Sequence, residues 1–203
     1  MIAFSAPFPP ISWWTLALKD KKITLDHSEH YQKMSYRNRY YLATPQGKQL
    51  LSIPLLNGRN QRVPMAEVRI DNRIPWQTQH WRTLISLYNR SPFFQYFEHE
   101  LLPLFQQEFD LLADFNLSGI RLLNQLLKLN LEISITESYK EDYPEETDIR
   151  QSLKPNATED DEALNINSYY QVFADRSGFL PNCSILDLLF CEALQAPLIL
   201  LPK

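Results

Sequence analysis

Four glycines, Gly47, Gly58, Gly119 and Gly178, stand singly in 203 residues. A P-loop and a GxGxxG dinucleotide turn both need clustered glycines, so that the backbone can approach phosphates, and both are excluded. The chain holds 14 prolines instead. Its turns are therefore expected to be made by Pro and Asn, which preset φ or tolerate positive φ, rather than by Gly. The opening MIAFSAPFPPISWW shows the consequence: a short apolar run at 2–6 must stop at PFPP, and the chain beyond that turn must take up a different regular structure.

The new structure is helical. ISWWTLALK, 11–19, places Ile11, Trp14, Thr15 and Leu18 at helical spacing, and KITLD, 22–26, then reads as a strand. Strand, proline turn, helix and strand predict a βαβ unit with parallel strands. RYYLAT at 39–44 and QLLSIPL at 49–55 flank PQGK and predict a hairpin; AEVRI at 66–70 alternates and predicts another strand. From Pro75 the period changes to that of helices, expected over 76–90, 92–106 (with Ser91 as N-cap and a kink at Pro103), 116–129 and 184–193 (capped by Asn182 or Ser184). LEISITES supplies a strand at 131–136. SYYQVF at 168–173 is a candidate for a short strand, and the tail APLILLPK for a last short strand or a packed extension. The expected fold class is α/β: a mixed sheet with a βαβ start, a central β-hairpin and a helical second half, in a single domain over 1–203.

Hydrophobic residues make up 44% and charged residues 22%, which supports a packed core. No apolar run approaches the ~18 residues of a membrane span, and the N-terminus lacks the basic residue of a signal peptide. Cys183 and Cys191 form neither a disulfide framework nor a zinc set. A cytoplasmic protein with no membrane association is expected. The net charge of −4 conceals an asymmetry: residues 19–90 carry 13 Lys/Arg against 5 Asp/Glu, and residues 137–162 carry 3 against 10. The first is expected to hold an anion site or a solvated face, and 139–168 to form an acidic, mobile excursion.

The densest polar string is HSEHYQKMSYRNR, 27–39. Paired arginines suit carboxylate or phosphate oxygens, and a nearby imidazole can move a proton. Substrate-binding candidates are Lys33, Tyr36, Arg37, Asn38 and Arg39. Trp76 and Tyr88 would supply aromatic walls, and Asn182 and Ser184 would supply free N–H groups at the start of the last helix. Proton-transfer candidates are His27, His30 and His80. All are expected to meet on one concavity, with Arg37 and Arg39 on the ligand and Asn38 bonding nearby backbone. His27 and His30 share a helical face but lack a third ligand, so no metal site is assigned, and no cofactor can be named. The alternative for the whole string is a solvated loop over packed Tyr rings.

Several strings occur in an order that resembles the WbqC-like protein family: FPPISWWTLAL, HYQKMSYRNR, LLSIPL, IDNRIPWQTQHWRTLISLYNRSPFF and NCSILDLLF, the last with Cys183 where the family pattern has leucine. The resemblance covers about 1–108 and 168–192. The acidic stretch 139–168 stands where many relatives carry a longer segment. The resemblance implies a bacterial protein encoded among surface-polysaccharide genes, with a part in modifying sugars by amide formation, such as aminoacyl transfer to an amino sugar. The leading expectation is a transferase or ligase-like enzyme whose partner is an anionic small molecule or nucleotide-linked sugar. A non-catalytic ligand- or protein-binding module is the alternative. A nucleic-acid binder is the third reading, although the chain is acidic and lacks an RNP or helix-turn-helix pattern.

Overall fold

The computed structural model describes residues 1–155 and 166–201. Three short strands, β1 (Ile2–Ala3), β2 (Lys22–Leu25) and β5 (Glu132–Ile135), form a sheet in the order β1-β2-β5, and both pairings are parallel. The helix α1 (Ile11–Asp20) joins β1 to β2, so the expected βαβ start is present. Lys21, in the left-handed region at φ 56°, ends α1 and donates its N–H to Ala17 O. The strands β3 (Arg39–Thr44) and β4 (Gly47–Ser52) make the central hairpin, with Thr44 opposite Gly47 at the turn.

The second half is mostly helical: α2 (Trp76–Tyr88), α3 (Phe94–Gln106), α4 (Leu112–Leu126), the short α5 (Ala174–Ser177), α6 (Ile185–Glu192) and the short α7 (Ala196–Ile199). Their apolar faces close over Trp13, Trp14, Phe8, Tyr40 and Phe115, all essentially without solvent exposure. Phe8 is the centre of this core. It meets the ring of Tyr40 edge-on at 5.1 Å and that of Phe115 at 5.7 Å. Gly119 of α4 packs against it, and a Cβ there would come into van der Waals contact, 3.4 Å from the Phe8 ring.

Several expectations are corrected. Only Ile2 and Ala3 of 2–6 pair in the sheet, because the Pro-rich turn draws Phe4–Ala6 away as buried extended chain. The expected strand at 66–70 is a 3-10 turn, Met65–Glu67, held by Met65 N–H to Glu29 O and Ala66 N–H to His27 O; Arg69 and Ile70 make isolated bridges only. Ser91 does not cap α3. Its hydroxyl donates back to Tyr88 O at 2.7 Å, and α3 starts at Phe94 and runs on through Pro103. Helix α4 starts four residues earlier than its apolar period indicates, 168–173 is not a strand, and the tail as far as it is described is a packed extension, α7 and Leu200, with Ala196 and Leu200 buried.

Of the acidic excursion, residues 156–165 lie outside the described residues. Residues 147–149 pair with the free edge of β1: Ile2 N–H donates to Thr147 O and Ile149 N–H donates to Ile2 O; Ile149 and Leu153 are buried. That cover protects an open strand edge.

The N-termini of α1 and α6 satisfy one another. Pro9 and Pro10 bring no N–H of their own to the turn. The first donors of α1 go across the molecule: Ile11 N–H to Cys183 O at 3.1 Å and Ser12 N–H to Asn182 Oδ1 at 2.9 Å. In return, Ser184 Oγ donates to Phe8 O at 2.9 Å and accepts from Leu186 N–H, and Ile185 N–H donates to Pro9 O. Asn182 sits at φ 54°. Asn182→Ala should therefore cost about 1–2 kcal/mol, for the lost cap and the strained φ together, and Asn182→Gly should cost measurably less because Gly relieves the φ. Urea denaturation of the two variants checks the order.

Candidate anion-binding groove

The loop after β2 is shaped by Asp26. Its Oδ1 accepts from Ser28 N–H, Glu29 N–H and Thr136 Oγ1, and its Oδ2 accepts from Arg150 Nη1 at 2.8 Å. This turn aims Glu29 inward, where Arg37 meets it with both arms of its fork, Nε to Oε1 at 2.8 Å and Nη2 to Oε2 at 2.6 Å. Arg37 is 2% exposed and Glu29 3%. The guanidinium also donates to Arg150 O at 3.1 Å and lies over the Phe4 ring. Burial pushes the Glu29 carboxyl up and the contact with Arg37 pulls it back. Arg37 is thus a buried structural cation.

Its neighbours are engaged in the same way. Tyr36, Arg37 and Asn38 form a 3-10 turn, so the two-residue alternation of faces found in extended chain does not apply there. Tyr36 is buried against Phe4, and burial raises its phenol well above the usual range. Asn38 bonds backbone, as expected: Nδ2 donates to Ile53 O, while Oδ1 accepts from Tyr31 OH. Arg39 is half-buried at the start of β3, and its Nε has no hydrogen-bond partner.

The expected convergence with α2 does not occur. Trp76 and His80 face the core, where His80 Nδ1 pairs with Tyr40 OH at 3.1 Å. Burial lowers the His80 pKa to about 4, against a partial offset from the Ser52 backbone. Tyr88 donates to Asp187 Oδ1 at 2.7 Å, and the other oxygen of that buried carboxylate takes Tyr169 OH and Gln171 Nε2. Asn182 and Ser184 are consumed by the paired helix starts. His30 is exposed near Tyr139. His27 is 8% exposed, and its Nε2 has no hydrogen-bond partner. Burial lowers its pKa, and the charges of Asp114 and Asp26 raise it by less. It is therefore a neutral imidazole with an unengaged nitrogen.

Of the expected ligand residues, Lys33 reaches a cavity. Tyr31 N–H donates to Val63 O and His30 bridges Pro64, which lays the loop 59–62 beside 31–33. Between them lies a groove of about 560 Å³ lined by Tyr31, Gln32, Lys33, Arg59, Asn60, Gln61 and Arg62. Lys33 Nζ points at Asn60 Oδ1, 3.5 Å away. The lining holds three cations and no carboxylate. By contrast, a cavity of about 540 Å³ beside α2 sets Asp175 against Arg90 and Arg176, and one of about 590 Å³ holds Glu108, Asp110 and Asp114. Sequence reading missed Arg59, Asn60, Gln61 and Arg62. The loop NGRNQRVP is visibly basic, but its apposition to residues 31–33 is a long-range pairing with no local signal.

The WbqC-like protein family model matches residues 5–160, and the chain belongs to that family. No curated protein and no solved structure matches the chain. In the described residues, no helix is long and apolar enough to cross a membrane.

The geometry makes two predictions. Arg37→Ala leaves Glu29 buried without its partner and should cost on the order of 3–5 kcal/mol, while replacing both residues by Met should recover most of that. Calorimetric melting of the single and double variants tests it. His80 has a folded-state pKa of about 4 against an ordinary 6.5, so the unfolded chain binds a proton that the folded chain refuses. The stability it confers is complete above pH 6.5 and is lost as pH falls towards 4, by on the order of 3 kcal/mol. Urea midpoints between pH 7 and 4.5 should fall less steeply in His80→Gln, which still offers Tyr40 an acceptor.

Proposed function

We propose that this WbqC-like protein binds an anionic, phosphorylated or nucleotide-linked small molecule in the groove between 31–33 and 59–62. The observation that carries the reading is the lining itself: Lys33, Arg59 and Arg62 with amide donors from Gln32 and Asn60, and no carboxylate among them. Guanidinium and ammonium groups at a concave surface are matched to phosphate oxygens, and a volume of about 560 Å³ falls within the range of small-molecule sites.

The finer reading is a transferase or ligase-like enzyme acting on an amino sugar destined for a surface polysaccharide. It draws on the family resemblance. In such a transfer the sugar amine attacks the carbonyl of an activated acyl donor, such as an aminoacyl ester. The C–N bond forms, the bond to the leaving group breaks, and the nitrogen loses a proton to a neutral base. His27 is kept neutral by burial, but its Nε2 is buried and it is not among the residues lining the groove, so it is not placed to take that proton. The reading that competes is a non-catalytic binding module. It is favoured by the fact that no histidine lines the groove.

Thermal-shift titration with uridine diphosphate, a nucleotide-linked amino sugar and inorganic pyrophosphate tests the binding. A ligand that binds only the folded protein must raise its melting temperature. The double variant Arg59→Ala/Arg62→Ala should weaken binding at least tenfold, and because Arg59 is exposed and Arg62 lies at the groove surface its ligand-free melting should stay close to that of the parent. Absence of any shift with every anion would sink the proposal. Mass spectrometry after incubation with the amino sugar and an activated aminoacyl donor separates enzyme from binding module.

A further inference from the structure

The stretch that returns from β5 to the edge of β1 is held at its two ends and at one point between. Thr136 N–H donates to Leu25 O at one end; at the other, Ile2 N–H donates to Thr147 O and Ile149 N–H to Ile2 O. Of the ten residues between, 137–146, Tyr143 is half-buried and the rest are exposed. They carry five carboxylates against Lys140, so they repel one another. A cavity of about 240 Å³ lies between Thr24 and Thr136 on the strands and Lys140, Tyr143 and Glu146 of the stretch, which therefore spans the sheet rather than packing on it.

The point between is one guanidinium. Arg150 Nη1 donates to Lys140 O at 2.9 Å and Nη2 to Glu141 O at 2.8 Å, and the group lies over the rings of Tyr143 at 4.9 Å and Tyr139 at 5.8 Å. Nη1 also donates to Asp26 Oδ2 at 2.8 Å, which ties the stretch to the end of β2, and Asp148 braces the other side of the fork. The remaining contacts are slight: Glu146 is 3.6 Å from the Met1 amino group, and Tyr139 meets the exposed His30 edge-on. The fold itself does not need this fastening. Asp26 Oδ1 keeps Ser28 N–H, Glu29 N–H and Thr136 Oγ1, and Ile149 stays buried at the sheet edge.

We propose that 137–146 is a strap closed by the Arg150 side chain against the carboxyl end of β2, and that it opens while the rest of the molecule stays folded. Few buried apolar contacts and an exposed backbone are the marks of a segment that opens locally. The carboxyl ends of parallel strands are where open α/β sheets receive ligands, so the strap controls access to Asp26 at that end. It shares no lining residue with the groove between 31–33 and 59–62, and its opening does not depend on the anion-binding reading.

The test is cleavage of the native full chain by a Glu-specific protease, with the cut after Glu141 read by mass spectrometry. Arg150→Ala should keep the far-ultraviolet circular dichroism of the parent and be cut there at least about tenfold faster, because cleavage of a native loop follows the population of its open form. Arg150→Lys keeps a cation beside Asp26 but lacks the fork. It should also be cut faster, and it decides the matter if Arg150→Ala does not fold. In the parent, the rate of that cut should change little in dilute urea, since opening the strap exposes little surface. Equal cutting rates in parent and variants would overturn the role of Arg150. Unfolding of both variants, or a parent rate that rises with urea as steeply as global unfolding, would make the strap part of the cooperative fold and overturn its independent opening.

Discussion

The fold turns on two helix beginnings that complete each other. Every α-helix starts with N–H groups that need acceptors from elsewhere. Here the first two donors of α1, Ile11 and Ser12 N–H, go to Cys183 O and Asn182 Oδ1, and in exchange the carbonyls of Phe8 and Pro9 accept from Ser184 Oγ and Ile185 N–H. The segment 182–185 is also tied to the hairpin, since Ser184 N–H donates to Tyr41 O. One small knot thus joins the parallel sheet, the hairpin and the C-terminal helices. Because those N–H groups are already bonded, neither helix start is free to hold an anion, and the place in an α/β fold where phosphate usually gathers is closed here.

Anion affinity is displaced to the surface by the way cations are divided. Arg37 and Arg150 are drawn inside to neutralise Glu29 and Asp26, and Arg150 adds Asp148 and the carbonyls of Lys140 and Glu141. These two arginines fasten the loop after β2 to the strand-like stretch at 147–150. What remains uncommitted from the basic first half includes Lys33, Arg59 and Arg62, and these stand together.

Much of the architecture was legible because it is written in local periods. The βαβ start, the hairpin and the helices near 76–88 and 94–106 come from spacing that any neighbour arrangement would have to respect. The 66–70 segment misled because AEVRI alternates in composition while Pro64 and two long-range bonds impose a turn. Helix α4 misled at its start, since Leu112, Ala113 and Phe115 bury a face that precedes the obvious leucine pattern. The site was the least legible part. Lys33 and Arg37 look alike in the string, yet Glu29 lies within reach of one and not the other, and a 3-10 turn decides which. Arg59 and Arg62 needed knowledge of which loop lies beside which.

The knot between the helix starts also governs when the molecule can fold. Ser12 and Asn182 are 170 positions apart, and β2 pairs with a strand about 110 residues later. As the chain emerges from the ribosome, the first strand, α1 and their tryptophans appear long before the elements that cap and cover them. Contacts of such sequence separation close slowly, and the apolar surface waiting for them is open to misassociation. The early half must therefore be shielded or remain fluid until synthesis has passed residue 184. Closure of the fold therefore waits on the arrival of residues 182–185.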